Sequence, residues 1–332
     1  VLERIPEDDR LILSFKVSHT DFWRYQKWNP CSLVCGDRPV IYELECQREF
    51  EAKGAIPNWQ VPLWRDGCPE VDDEAGGLAD VAQRVNLAGL WAWVRGGGWG
   101  GPFVSDETWI DANVYAVPIL ADDPAVDPAK LAQQWIGERL GIDDPDLAAA
   151  LEQILMHSPQ VVLQGFYIQS FVDTRKSTWH PNADWIQDDL LDVSAAWRVV
   201  QRIPESALDA AIREKRDAVN RIASDRQALQ HAMTSENRTT LAPLLHTLEY
   251  GEALFCTLRD LLSGLIAYRR YQARRDPEIA KQCGKHLLSA QNHWNLHTGR
   301  TGSRSGAATA FREVGFWERT QQILAEVGSE SN

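Results

Sequence analysis

Apolar and polar residues alternate in two short segments near the start of the chain. Between residues 11 and 18 the odd positions are Leu, Leu, Phe and Val, while the even positions end in Lys16 and Ser18. Residues 39–47 repeat the pattern, with Val40, Tyr42 and Leu44 on one face and mostly polar side chains on the other. A period of two is typical of a strand with one buried face, so both segments predict strands.

A third segment, residues 87–94, is apolar throughout and predicts a strand that is buried on both faces. The connections between the three strands are roughly 20 to 40 residues long, which suits the crossovers of a parallel sheet. They are rich in Pro, Gly and Trp, which is typical of loops that carry a functional site. Polar side chains gather toward the carboxyl ends of the strands, where (β/α)8 barrels place their active sites.

Helical patterns dominate from about residue 120 onward. The pairs Asp127-Pro128 and Asp144-Pro145 combine an N-cap with a first-turn proline, and they predict helices through Leu140 and Leu155. Two longer apolar stripes have helical spacing: Leu208, Ile212, Val219, Ile222, Leu229 and Met233, then Leu241, Leu245, Leu248, Phe255, Leu258, Leu262 and Leu265. We interpret these stripes as the core of a helical domain, with partner-binding faces as the alternative. The tail after Ala325 is expected to be disordered.

These patterns predict an α/β protein in two parts. Residues 1–120 would form the carboxyl-terminal part of a catalytic (β/α)8 TIM barrel, and residues 121–332 a mainly α-helical domain. The chain opens with Val1 rather than Met, so we expect that the first barrel strands and any leader are missing and that the compartment, cytoplasmic or periplasmic, stays open. A partial barrel has unpaired strand edges, which predicts pairing with another chain, and the helical domain is the expected surface for a homodimer.

Composition narrows the possible partners. The 332 residues carry a formal net charge of -13, which argues against nucleic acid and anionic membranes because both require a basic surface. The six cysteines show no CxxC pairs, so they indicate free or buried thiols rather than a metal site, with disulfides as the remaining alternative. We expect no cofactor and no metal.

Tryptophan is unusually frequent, with 14 in the chain. Eight of them lie in the first 110 residues: Trp23, Trp28, Trp59, Trp64, Trp91, Trp93, Trp99 and Trp109. Flat aromatic rings stack on the C–H faces of sugars, so the cluster indicates a carbohydrate cleft. Core packing is the alternative, and for any single Trp it is the favoured one.

Two carboxylates stand at the ends of predicted strands. Asp21 follows the first strand and Glu49 follows the second. Glycosidic cleavage requires one carboxyl group to protonate the leaving oxygen and another to activate water or attack the sugar. Adjacent parallel strands would bring Asp21 and Glu49 to the same rim. The alternative is that both are ordinary solvated residues of an acidic chain.

The stretch Lys16-Val-Ser-His-Thr-Asp21-Phe22, with Pro30 and then Val40-Ile-Tyr-Glu-Leu-Glu-Cys-Gln-Arg-Glu49-Phe50, resembles the α-glucuronidases of glycoside hydrolase family 67. The spacings from Lys16 to Asp21, from Asp21 to Pro30 and from Asp21 to Glu49 agree without a gap. The resemblance continues through Gly96-Gly-Gly-Trp99 and Trp109-Ile-Asp-Ala-Asn113-Val-Tyr115. Three departures limit it: the residues after Asp21, the glycines of the last loop, and Glu-Cys-Gln-Arg in the second strand, where Gln-Ile-Thr-Gln is usual.

The resemblance implies an inverting glycosidase that releases glucuronic acid or its 4-O-methyl derivative from xylo-oligosaccharides. Asp21 and Glu49 would be the catalytic pair that holds the attacking water, while Lys16, Trp23 and Trp99 would bind an oligosaccharide that contains a uronic acid. For Lys16, pairing with Glu43 or Glu45 inside the barrel is the alternative. The family's general acid lies on earlier strands, so the chain alone is expected to be inactive. A function of another class is a non-catalytic carbohydrate-binding or assembly module with a Trp-lined cleft.

Three further patterns are weaker. The spacing of Gly96, Gly98 and Gly101 matches a dinucleotide-binding loop, but Trp99 and Pro102 and the lack of a following βαβ unit argue against one. His19 lies on the apolar face of its strand, which favours packing over proton transfer. The pair His293 and His297 lacks a third ligand, so we expect a surface or packing role.

Overall fold

The computed structural model describes residues 4, 8, 10–71, 75–94, 107–173, 181, 185, 190–302 and 312–329. Three parallel strands form a sheet in the order β1-β2-β3, with β1 at Leu13–Lys16, β2 at Pro39–Glu45 and β3 at Asn86–Trp93. All three predicted strands are therefore present. The chain is mostly helical with a small parallel sheet, which agrees with an α/β class. A barrel is not shown, because the described residues form only these three strands and a separate parallel pair.

One face of the sheet is buried, and the other is open along β3. Val40, Tyr42 and Leu44 of β2 are fully buried, as the alternation predicts. On the opposite face Trp91 and Trp93 of β3 are 39% and 47% exposed. The prediction that β3 is buried on both faces is therefore wrong, because no described layer covers this side. The two indole N–H groups donate to polar partners across the sheet, Trp91 to Ser14 Oγ at 3.0 Å and Trp93 to Glu43 Oε1.

Helices make up most of the rest of the chain. Short 3-10 helices lie at Pro30–Val34, Ala52–Gly54 and Glu205–Ala207. The α-helices are α1 Val61–Asp66, α2 Leu78–Val81, α3 Thr108–Asp122, α4 Pro128–Leu140, α5 Pro145–Phe166, α6 Gln169–Asp173, α7 Val193–Arg202, α8 Leu208–Ala232, α9 Arg238–Arg274, α10 Pro277–Gly302 and α11 Phe316–Ser329. The second strand pair is β4 Leu190–Asp192 with β5 Arg312–Val314.

The predicted helix starts are confirmed by their caps. Asp127 accepts hydrogen bonds from the backbone N–H groups of Ala129 and Lys130, and Asp144 accepts from that of Leu147. These bonds satisfy donors that a helix start leaves without partners. Helix α4 ends at Leu140 as predicted, but α5 continues past Leu155 to Phe166 because its buried apolar stripe continues.

Helix α11 contradicts the prediction of a disordered tail after Ala325, because it extends to Ser329. Phe316, Ile323 and Val327 lie on one side of α11 and are buried. Their spacing of seven and four residues places them on one stripe, so burial of this stripe holds the last helix on the core.

Helices α8 and α10 flank the long helix α9, and α5 packs on α8. Contacts also cross the predicted boundary at residue 120. The backbone N–H of Trp59 donates to Ser158 Oγ at 2.8 Å, and Trp109 Nε1 donates to Thr247 Oγ1 at 2.8 Å. The hydrophobic core is continuous from the sheet to the helices, and the two-domain division stays a prediction. No helix in the described part of the chain is long and apolar enough to cross a bilayer.

The six cysteines are all free thiols, in agreement with the favoured interpretation of the sequence. His297 is fully buried and packs between the rings of Tyr250 and Trp294, as expected of a packing residue. His19 differs from its expectation, because it is exposed on a loop, where its backbone N–H donates to Lys27 O at 2.6 Å. The glycine-rich segment of residues 96–101 lies outside the described residues.

Candidate functional site

The loop after β1 carries Asp21 at the carboxyl end of the sheet. This loop folds back on itself: the backbone N–H of His19 donates to Lys27 O, and Ser18 forms an antiparallel bridge with Trp28. Lys16 Nζ donates to Asp21 Oδ1 at 2.9 Å, and the backbone N–H of Phe22 donates to the same oxygen at 3.1 Å. The Lys16 and Asp21 side chains keep 38% and 31% exposure, so the pair faces solvent.

The loop after β2 carries Glu49 in a strained backbone. Arg48, Ala52 and Lys53 have φ values of 61°, 69° and 52°, in the left-handed region that L residues other than Asn, Asp and His rarely adopt. They are three of the four described non-glycine residues with positive φ. Such strain costs about 1 kcal/mol or more per residue and persists where the surroundings enforce it, as they do at functional sites.

The Lys16–Asp21 ion pair lies near enough to Glu49 for both of its charges to act on that carboxyl group. Burial raises the pKa of the Glu49 carboxyl above its usual value, and the negative charge of Asp21 raises it further. Lys16 is among the cations that act in the opposite direction. A carboxylate with a raised pKa is a stronger base. These effects favour Glu49 as a proton acceptor, whereas the Asp21 carboxylate is held in an ion pair with Lys16.

Lys16 does not form the alternative pairs that the strand pattern left open. Its ammonium contacts Asp21 rather than Glu43 or Glu45, although Glu43 lies beside it in the sheet register. The Lys16 side chain also lies over the Phe22 ring, 4.8 Å from its centroid. Lys16 is thus a partly exposed cation at the rim, able to meet an anionic group that approaches from solvent.

A buried ion pair anchors the Glu49 loop. Arg48 donates to both carboxylate oxygens of Glu51, at 3.0 and 2.9 Å, and Asn58 Nδ2 donates to Glu51 at 2.7 Å. Burial alone would raise the pKa of Glu51, but Arg48 and the hydrogen bonds hold it below the usual value. Glu51 is therefore a charged structural residue.

The Tyr167 hydroxyl ties the two loops to each other. It donates to Glu51 Oε1 at 2.7 Å and accepts the backbone N–H of Arg24 at 3.0 Å. Tyr167 is itself held by α8, because the Lys215 ammonium donates to Tyr167 O and to Gln164 O at the end of α5. The helices thereby fix the relative position of the Asp21 and Glu49 loops.

The predicted aromatic ligands of the site have different outcomes. Trp23 is 2% exposed and stacks on Phe50 with ring centroids 4.3 Å apart, so its ring packs between the two loops and is not open to a sugar. Trp99 lies outside the described residues. Within the Trp cluster, the buried members favour core packing: Trp23, Trp28, Trp59, Trp64 and Trp109. Only Trp91 and Trp93, among the described members, present their rings to solvent.

Sequence reasoning missed the residues that support the site. Arg48, Glu51 and Tyr167 carry no motif, and Glu51 and Tyr167 are 116 positions apart. Asn113, which belongs to the quoted Trp109–Tyr115 motif, holds both ends of the Glu49 loop by donating to Cys46 O and Asn58 O. The run of charged and polar residues that follows the buried strand β2 could have indicated these supporting residues. No group of His, Cys, Asp and Glu in the described ranges could hold a metal ion.

No protein-family model and no curated protein matches the sequence. The fold matches a solved structure, that of a GH138 enzyme targeting pectin rhamnogalacturonan II. The match has a TM-score of 0.51 at 11% sequence identity, and it covers 96% of this chain and 41% of that chain. At this identity the likeness concerns the fold alone. The chain is similar in fold to a region of a glycoside hydrolase, while the resemblance to family 67 rests on the quoted motifs.

Proposed function

We propose that this chain forms part of the active site of a glycoside hydrolase, with Asp21 and Glu49 on the side of the attacking water. The observation that carries the proposal is the presentation of these two carboxylates, beside Lys16, at the carboxyl ends of adjacent parallel strands. In (β/α)8-barrel enzymes the active site lies at the carboxyl ends of the parallel strands. The fold shared with a glycoside hydrolase supports the same reaction class.

In the proposed inverting mechanism Glu49 takes a proton from water as the water attacks the anomeric carbon. Asp21, fixed by Lys16 and the Phe22 N–H, accepts the second hydrogen of that water and orients it. The C–O bond to the leaving group breaks as the new bond forms, and a general acid on the opposite face protonates the leaving oxygen. Inverting enzymes separate the two carboxyl groups by about 6.5–9.5 Å. No residue of the chain is assigned this donor role.

The proposed substrate is an oligosaccharide that bears a uronic acid. Lys16 would meet its carboxylate, because the attraction between opposite charges strengthens when a bound sugar displaces water from around the pair. Glucuronic acid on xylo-oligosaccharides is the substrate that the family 67 resemblance favours. Pectin oligosaccharides are the second choice, since pectin rhamnogalacturonan II is the target named for the GH138 enzyme.

The test is hydrolysis by the protein at its natural length, assayed on aldouronic acids and pectin oligosaccharides. Asp21→Asn and Glu49→Gln preserve shape and remove the charge, and each should lower kcat about 10²- to 10⁴-fold. Asp37→Asn is the matched control, because Asp37 is exposed on the turn before β2. Near-normal turnover by both site variants would overturn the assignment.

A second candidate is a non-catalytic carbohydrate-binding module, favoured by the exposed rings of Trp91 and Trp93. Their centroids lie 6.2 Å apart on the open face of the sheet, and exposed aromatic faces stack on sugars. Calorimetry with the same oligosaccharides separates the candidates. Binding that is lost in Trp91→Ala and Trp93→Ala, without release of sugar by the wild type, would favour the module.

A further inference from the structure

Glu45 is a buried carboxyl group directly beneath the site. It is the last residue of β2 and projects from the same face as Glu43, the register partner of Lys16. Its side chain is 1% exposed. One oxygen, Oε1, accepts the backbone N–H of Glu49 at 3.2 Å. The other, Oε2, has no hydrogen-bond partner among the described residues.

The charges around Glu45 do not neutralise it. Arg48 is the cation that acts on it most, but both oxygens of Glu51 already accept from that guanidinium. The adjacent strand β1 offers Lys16, which is bound to Asp21. Glu49 and Glu51 add negative charge on the same loop. On β3 the register partner is Trp93, which has no charge.

A charged Glu45 would therefore be a buried carboxylate with one bare oxygen, which is costly in an environment of low polarity. Burial raises the pKa of Glu45 to about 8, against the pull of Arg48, and the charges of Glu49 and Glu51 contribute to the increase. The neighbouring Cys46 thiol is neutral as well, because burial raises its pKa to about 12. Burial and the neighbouring negative charges thus outweigh Arg48 and the Glu49 N–H, and they favour the protonated acid at neutral pH.

We propose that Glu45 is a third, protonated carboxyl group of the site and that it positions Glu49 while leaving the site only two negative charges. This inference rests on the proposed function for the role of Glu49, but not for the protonation state. The Oε1 atom holds the Glu49 backbone, and the acid proton on Oε2 removes a charge that would repel Glu49. Loss of that proton places three carboxylates around one ion-paired lysine.

Infrared difference spectroscopy tests the protonation state without any substrate. The wild-type protein at natural length should show the C=O band of a protonated carboxyl group at pH 7, and this band should disappear with a midpoint near pH 8. It should be absent in Glu45→Gln and retained in Glu49→Gln, which separates the two neighbouring acids. A wild-type spectrum without the band at pH 7, or a band that persists in Glu45→Gln, would overturn the proposal.

The pH dependence of the unfolding midpoint provides a second test, and the direction of the expected change is defined. The folded pKa of Glu45 lies above its unfolded value, so its favourable contribution is full below about pH 4.5 and is lost as pH rises through about 8. The unfolding midpoint of the wild type should therefore decline relative to Glu45→Gln across this interval. Glu43→Gln, on the same face but half-exposed, is the control and should run parallel to the wild type. If the unfolding midpoints of Glu45→Gln and the wild type changed in parallel with pH, the proposal would be contradicted.

The pH profile of hydrolysis tests the positioning role. Wild-type kcat/KM should fall above about pH 8, whereas Glu45→Gln, which cannot ionise, should retain its neutral-pH value there. A purely structural residue would not change this alkaline limb. If the infrared band behaves as expected but no hydrolysis is found, the proposed function fails and the protonated Glu45 stands. If hydrolysis is found, but the wild type lacks the band and kcat/KM of Glu45→Gln falls above about pH 8 as in the wild type, only the inference about Glu45 fails.

Discussion

The Glu49 segment, residues 46–60, and the helices α8 to α10 are both buried, but by opposite means. In the segment, charged and polar side chains are enclosed: Arg48, Glu51, Lys53 and Asn58 are each at most 6% exposed. In the helices the enclosed surface is mainly apolar, with Leu254, Leu258 and Leu261 of α9 fully buried, although Lys215 and Asp260 are enclosed there too. The first region is held by directed hydrogen bonds and the second by removal of apolar area from water.

The difference indicates how stability and positioning are divided in this protein. Apolar burial stabilises without specifying an orientation, so many arrangements of a helix stripe serve equally well. A buried ion pair contributes little net stability, because the cost of desolvation offsets the attraction. It does, however, permit only one geometry. The Arg48–Glu51 pair and its partners therefore determine where Glu49 and Asp21 lie, while the helices supply the stability that tolerates the strained loop.

The largest effect is expected when the buried pair loses one partner. Glu51→Ala leaves Arg48 buried and unpaired and removes the acceptor of Tyr167 and Asn58, so unfolding in urea should show a loss of about 3–5 kcal/mol. Glu138→Ala is the control, because Glu138 is exposed and bonds only to the Tyr115 hydroxyl among the described residues. Its loss should stay within about 0.5 kcal/mol. Equal losses would mean that the Glu49 segment is no more sensitive than the surface.

Truncation in the helices should lower stability by a comparable or smaller amount and leave the site intact. Leu261→Ala creates a cavity in α9 and should cost about 2–5 kcal/mol. Leu288→Ala, at a position of α10 that is 51% exposed, should change stability by about 0.5 kcal/mol or less. Urea unfolding measures both variants. If Leu261→Ala lowered kcat for the folded enzyme as strongly as Glu49→Gln, the division between stability and positioning would be wrong.

The smallest of the three effects is expected at the hydroxyl that joins the loops. Tyr167→Phe leaves the Arg24 N–H without its acceptor and Glu51 Oε1 without one of its donors, which should lower the free energy of unfolding by about 1–3 kcal/mol. Amide hydrogen exchange of Arg24 should accelerate, since its acceptor is lost. Tyr115→Phe removes a hydroxyl bond at the exposed surface of α3 and should have less than half this effect. Unchanged exchange at Arg24 would show that the loops are held independently.

The sequence predicted those features that depend on neighbours along the chain. The N-caps at Asp127 and Asp144 and the alternation of β1 and β2 act within a few residues, and all are confirmed. The ion pair between Lys16 and Asp21 joins residues only five positions apart, but the sequence did not predict it, since the expected partners of Lys16 were a substrate carboxylate, Glu43 or Glu45. The prediction for β3 was wrong because an apolar run reports hydrophobicity but not what covers each face. The stacked Trp23 and the continued helix α11 were missed for a similar reason, since their packing partners lie elsewhere in the fold.

The sequence by itself determined the three strands, the helix starts and the placement of Asp21 and Glu49 at strand ends. Only the tertiary structure decided that Arg48 pairs with Glu51, that Tyr167 joins two loops, and that Glu45 is enclosed beneath Glu49. The physical reason is the distance along the chain over which each interaction acts. Backbone periodicity and capping arise from bonds within one or two turns, whereas desolvation of a charge depends on every element that surrounds it. The electrostatics of this site are therefore a property of the fold.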